Sequence, residues 1–155
     1  MNKFAKRFEW SDGFTPAMQE AFEADGFLVI DGFASTDSCD KLLDQSEKLI
    51  NKFDAKAHSV AFSAAGQTHA ASDYFTKSAT DISFFLEEEA LDDSGNLLKE
   101  KQRAVNKIGH ALHVLDPVFE EFSYSSDVKV LSKGVGLEKP SMLQSMVICK
   151  QPYIG

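Results

Sequence analysis

The sequence predicts an α+β domain, and three observations carry that prediction. Cys39, Leu42, Leu43, Ser46, Leu49, Ile50 and Phe53 recur at three- and four-residue steps, the period of a helix with one apolar face. Residues 142–150 alternate instead with period two: Met142, Gln144, Met146, Ile148 and Lys150 fall on one face, Leu143, Ser145, Val147 and Cys149 on the other. Near the start, a capped helix, a short apolar run and the long helix follow one another, an opening layer suited to a mixed fold.

Each element has a local reason. Residues 1–14 read as a loose lead-in, and residues 15–155 as the domain proper. Thr15 is a good N-cap with Pro16 at the first helical position, and Gly26 suits the left-handed stop. Phe27-Leu28-Val29-Ile30 reads as a short buried strand, and Ser35 or Thr36 caps the long helix. Residues 54–80 are rich in Ala, Ser and Thr and read as a long loop with some local helix. Ile82-Ser83-Phe84-Phe85-Leu86 reads as a strand, and Asp93-Ser94-Gly95-Asn96 as a turn. Val105, Ile108, Leu112 and Leu115 predict a third helix interrupted by Gly109; Asp116-Pro117 starts a fourth, and Ser126 caps a fifth that stops at Gly134.

Composition narrows the function. With 155 residues the chain is long enough for one domain with a sizeable core, and 13 of them are Phe. A formal net charge of -8 argues against nucleic acid and against an anionic membrane surface, both of which call for clustered Lys and Arg. Residues 1–8 carry charge with no apolar run behind them, so no secretory signal is expected. Cys39 and Cys149 are far apart with no C-x-x-C spacing, which fits reduced thiols and a cytoplasmic location.

Each residue suited to chemistry also has an ordinary role. His110 and His113, at H-x-x-H spacing, would share a helical face, but two imidazoles do not complete a metal site and no Glu supplies an H-E-x-x-H arrangement. No His is followed two residues later by an acid. His58 and His69 have no partner pattern, and Gly134-Val135-Gly136 is too short for a dinucleotide fingerprint. Cys149, on the apolar face of its strand, reads as a small core residue before it reads as a nucleophile. Arg103, Lys107 and Lys150 are the cations suited to gripping a carboxylate, and each taken singly is an ordinary surface charge. The residues alone support a mixed domain with no complete active site.

Several segments, in order, resemble one family. Asp25-Gly26-Phe27-Leu28-Val29-Ile30-Asp31-Gly32-Phe33 is similar to the opening motif of phytanoyl-CoA dioxygenase family proteins. Ser72-Asp73-Tyr74-Phe75, Ile82 to Glu87, Gly95-Asn96-Leu97, Asn106-Lys107-Ile108-Gly109-His110-Ala111-Leu112-His113 and Asp116-Pro117-Val118-Phe119 resemble its later landmarks, as do Gln144-Ser145-Met146 and Lys150-Gln151-Pro152. The resemblance implies a non-haem iron oxygenase that uses 2-oxoglutarate and O₂, built as a double-stranded β-helix (a cupin-like jelly-roll) with helices packed outside. It implies a 2-His-1-carboxylate iron triad, H-x-D and a later His, with positions left open for 2-oxoglutarate and O₂. It also implies that Met146 lines the 2-oxoglutarate site and that Arg103 stands where the family places a basic residue, with Lys107, Gln144 and Lys150 as further candidates.

In the family the H-x-D follows K-Q-P after a short glycine-containing loop, and this sequence reaches Gly155 without it. The expectation is therefore the N-terminal part of such an enzyme, holding the helical layer and first strands of an incomplete jelly-roll, without catalytic or metal residues and inactive alone. The implied partner is a small-molecule substrate, with Fe(II) and 2-oxoglutarate belonging to the parent enzyme. The alternative is a free-standing non-catalytic binding or assembly module. In either case the last strand presents an open edge suited to self-association.

Overall fold

The computed structural model describes residues 6–11, 13–54, 69–92, 94 and 96–150. A short parallel pair comes first: β1 (Arg7–Glu9) lies beside β2 (Val29–Asp31), with Arg7 paired to Asp31 across it. The lead-in thus carries a strand, and the apolar run 27–30 is placed differently from expectation. Its strand begins at Val29 and is half-buried, while Phe27 is exposed.

Between these strands, α1 (Pro16–Asp25) starts and stops where the local signals put it. Thr15 Oγ1 accepts from the Met18 N–H at 3.4 Å, and Gly26 closes the helix at φ 78° with its N–H on the Phe22 carbonyl at 2.8 Å. The long helix α2 (Thr36–Lys52) is capped by Ser35, whose Oγ accepts from the Ser38 N–H at 3.1 Å. Its C-terminal carbonyls are clasped by Lys101, whose ammonium donates to Asn51 and Phe53.

The local helix expected within residues 54–80 is found at 69–80, where α3 (His69–Lys77) runs into a 3₁₀ turn, Ser78–Thr80. The rest of that expected loop, residues 55–68, lies outside the described residues. Tyr74 accounts for the order. Its hydroxyl donates to the Phe84 carbonyl at 2.9 Å and accepts from the Phe84 N–H at 3.0 Å, tying α3 to β3 (Ile82–Leu86). The turn expected at 93–96 lies partly outside the described residues; the Asp92 carboxylate accepts from the N–H groups of Ser94 and Asn96 there.

The third predicted helix is mostly a strand. After a single turn, α4 (Lys101–Ala104), residues Val105–His110 form β4, and only Leu112–Leu115 coil, as α5. The apolar spacing mimicked a helix, but Ile108 lies fully buried between Phe84 on one side and Val147 on the other, and β-branched residues suit that pleated surface. β4 is the middle strand of an antiparallel sheet, β3-β4-β5, where β5 is Ser145–Ile148.

Helix α6 (Pro117–Ser123) begins as expected, with Asp116 accepting from the Val118 and Phe119 N–H groups at 3.0 and 3.2 Å. The buried Asp116 carboxylate also accepts from Gln45 at 2.6 Å, fastening α6 to α2. Helix α7 (Ser126–Gly134) is capped one residue earlier than expected, by Ser125. The core lies between one sheet face and the helices: Phe84, Leu86, Val105 and Ile108 pack against Ile50, Phe53, Leu112 and Phe119, with Val147 and Cys149 at the margin. No described helix is long and apolar enough to cross a membrane.

Candidate functional site

The other sheet face carries the chemistry. Cross-strand register sets it: Lys107 lies opposite Phe85 on β3 and Ile148 on β5, and Gly109 lies opposite Ser83 and Met146. Directly opposed residues share a face, so Phe85, Lys107, Met146 and Ile148 look the same way. The alternation read for residues 142–150 holds here, since Met146 and Ile148 are exposed while Ser145, Val147 and Cys149 are half-buried.

A Cβ at Gly109 would stand in van der Waals contact with Met146 Cβ, at 3.4 Å. Met146 is diagonal to Lys107, about 7–8 Å away at Cβ for such neighbours and within reach of two long side chains. The Lys107 ammonium sits 4.4 Å from the centroid of the Phe85 ring and 5.4 Å from that of Phe75 on α3. Burial among these rings holds its pKa below the ordinary lysine value.

His110 closes the far side of this aromatic group. Its ring is buried, 5.4 Å from Phe75 and 5.6 Å from Phe85 by centroids. Nδ1 lies 2.8 Å from Ser78 Oγ, and Ser78 already donates its only proton to the Phe75 carbonyl at 2.6 Å. The hydroxyl therefore accepts, Nδ1 carries the hydrogen, and Nε2 is the basic nitrogen of a neutral ring. Burial, and then the charge of Lys107, lower the His110 pKa.

His113 belongs elsewhere. Its Nδ1 and its backbone N–H both meet Ser145 Oγ, at 2.8 and 2.9 Å, so it fastens α5 to β5. The two histidines do not share a helical face, because His110 ends a strand and His113 sits in α5. Among the described residues no three His, Cys, Asp or Glu side chains converge on a metal position. Cys149 is no activated nucleophile: burial and the nearby Glu87 push its thiol pKa up.

Of the residues singled out in the sequence, the fold places Lys107 and Met146 on one sheet face. Lys150 is exposed just past β5, and Gln144 is exposed just before it. Arg103 is exposed on α4, outside the strand face that carries Lys107. Phe75, Phe85 and Ser78 were missed, and His110 was weighed only as a metal ligand beside His113. Strand alternation across residues 105–110 would have put Lys107 opposite an aromatic pair, but the helical reading of that segment hid it.

The fold and this face together define a mixed helix-and-sheet unit with a lysine set in an aromatic wall. The chain belongs to the phytanoyl-CoA dioxygenase (PhyH) family, whose model matches residues 22–155. It is similar to a phytanoyl-CoA dioxygenase of Arabidopsis thaliana, 45% identical over 141 residues, which are 91% of this chain and 50% of that protein. It is likewise similar to phytanoyl-CoA dioxygenase domain-containing protein 1 of Bos taurus, 38% identical over 91% of this chain and 50% of the relative. A homologue of that protein in Caenorhabditis elegans is 40% identical over 89% of this chain and 49% of its own length. The chain thus spans about half the length of the curated relatives it matches.

Proposed function

We propose that this chain forms the outer helical layer and the cosubstrate-facing strands of an Fe(II)/2-oxoglutarate oxygenase with a jelly-roll fold, and that Lys107 holds a carboxylate of 2-oxoglutarate. The observation that carries this reading is the placement of Lys107: it shares a sheet face with Met146 and stands against Phe75 and Phe85. A cation already partly withdrawn from water has less hydration to lose than a fully exposed one, and its attraction for a carboxylate is stronger at the lower local dielectric. Binding the anion draws the Lys107 pKa back up, so the complex favours the charged amine. Met146 and Ile148 supply the apolar floor beside it, and the buried neutral His110 keeps a second positive charge off the same wall.

The iron of the family is a different matter. The sequence has no H-x-D, and the described residues offer no set of three ligands, so these residues do not fit the metal. The contribution assigned to this chain is binding and orientation, and turnover by the chain alone is not expected. Arg103, Gln144 and Lys150 take secondary places, their side chains being exposed.

Calorimetric titration of the chain with 2-oxoglutarate tests the reading. Lys107→Met is expected to weaken binding about tenfold or more, since a hydrogen bond to a charged group is worth about 1.5–3 kcal/mol. Arg103→Met and Lys150→Met are expected to stay within about twofold of the parent, the range of exposed charges. Equal affinity in Lys107→Met, or no binding by the parent chain, would overturn the assignment.

A further inference from the structure

Lys107 faces the aromatic wall because its strand carries one extra residue. Side chains on a regular strand alternate, so Val105 and Ile108, three apart, would look opposite ways. Both are instead fully buried in the same core, Val105 opposite Leu86 and Ile108 opposite Phe84. The register accounts for it. Phe85 lies opposite Lys107 and Leu86 opposite Val105, so Asn106 has no counterpart on β3 and β4 bulges there. Strict alternation from Val105 would have turned Lys107 into the core and Ile108 out of it.

The bulge is held on three sides. From β3, the Glu87 N–H donates to the Ala104 carbonyl at 2.8 Å. From β5, the Cys149 N–H donates to the Asn106 carbonyl at 2.7 Å. The Asn106 side chain closes the third side, donating through Nδ2 to Glu87 Oε1 at 3.0 Å. Glu87 is buried, and nothing in the anion site described above uses it. Its backbone is fixed by the 3₁₀ turn Glu88–Ala90, where the Ala90 N–H donates to its carbonyl at 3.0 Å. A buried carboxylate that loses its donor is costly, so the pair opposes any register that draws Asn106 into the ladder.

We infer that Glu87 and Asn106 are positioning residues for Lys107: their hydrogen bond locks the bulge that turns the ammonium toward Phe85 and Phe75. Glu87 acts through Asn106, and Asn106 acts through the strand, so neither needs to touch the bound anion. The effect on affinity rests on the reading that Lys107 holds 2-oxoglutarate, but the orientation of Lys107 can be measured without ligand.

Proton NMR of the ligand-free chain reads that orientation. Methylene protons held over a ring are shifted upfield, so the Lys107 ε-methylene signals, assigned by their loss in Lys107→Arg, are expected upfield of the ordinary lysine position. Asn106→Ala and Glu87→Met break the hydrogen bond from opposite ends, so loss of fold in one leaves the other to decide. Both are expected to return these signals to the ordinary position. They are also expected to weaken 2-oxoglutarate binding about threefold or more, a part of what a hydrogen bond to a charged group supplies. Glu87→Gln keeps an acceptor oxygen and is expected to preserve the upfield shift and the affinity. Gln45→Met unfastens α6 from α2 away from the bulge, and is expected to lower stability while leaving both readouts at parental values. Unmoved Lys107 signals in Asn106→Ala and Glu87→Met overturn the inference, and so does an equal displacement in Gln45→Met. Weakened binding in Lys107→Met with parental binding in both bulge variants overturns this inference alone. Parental binding in Lys107→Met overturns the assignment of Lys107 to the anion and leaves the NMR signals to decide whether Glu87 and Asn106 position it.

Discussion

His110 shows how a single buried ring becomes a pH-sensitive part of the fold. It donates through Nδ1 to Ser78 and lies against Phe75 and Phe85, with Lys107 over the same rings. Its folded pKa lies below the ordinary value of 6.5. Between the folded value and 6.5 the unfolded chain binds more protons, so stability rises with pH across that window. The contribution is fully present above 6.5 and is lost as the pH falls through the folded value. Urea midpoints measured from pH 5 to pH 8 are expected to fall on the acid side in the parent chain, and His110→Gln is expected to flatten that fall. Parallel curves for the two proteins would assign the acid loss to other groups. At this scale the sequence was half informative. Lys107 was visible as a cation and Met146 as a position on the outward face of the last strand, but the residues that give Lys107 its setting come from α3 and β3, which only tertiary pairing brings near.

Elements whose signals are local were legible, and those defined by pairing were not. Thr15-Pro16, Ser35 and Asp116-Pro117 start their helices as read, because a cap is set within four residues of chain. Residues 105–110 were misread because Val105, Ile108, Leu112 and Leu115 sit at helical steps that straddle a strand and a separate turn of helix. Some helix was expected in the segment that holds α3, but its bounds were hidden because Ala, Ser and Thr give little apolar periodicity, and its anchor is one tyrosine hydroxyl. That anchor makes a prediction. Tyr74→Phe leaves both backbone groups of Phe84 without their partner, a loss of about 1–2 kcal/mol. Chemical denaturation is expected to show it, along with faster hydrogen exchange at the Phe84 amide; an unchanged exchange rate would mean that the hydroxyl does not hold this edge.

Across the whole molecule, the lead-in is tied to the far end of the helical layer. A Cβ on Gly134, the last residue of α7, would overlap the ring of Phe14. Trp10 meets Phe33 edge-on, with centroids 4.8 Å apart. Gly134→Ala is therefore expected to push Phe14 out and destabilise the protein by about 1–3 kcal/mol, the usual cost of overpacking. Trp10 is the sole tryptophan, so its emission reports the lead-in directly and is expected to shift to the red in the variant. An unshifted spectrum with parental stability would mean that the lead-in docks without Phe14. The Tyr74 hydroxyl has a further consequence at this scale. At Phe84 it is a stopper on the β3 edge: the N–H and C=O that a further strand would bond are both spent on one side chain. A strand added there would first have to displace a hydroxyl held by a short helix, so the sheet is terminated at this point by a single oxygen atom.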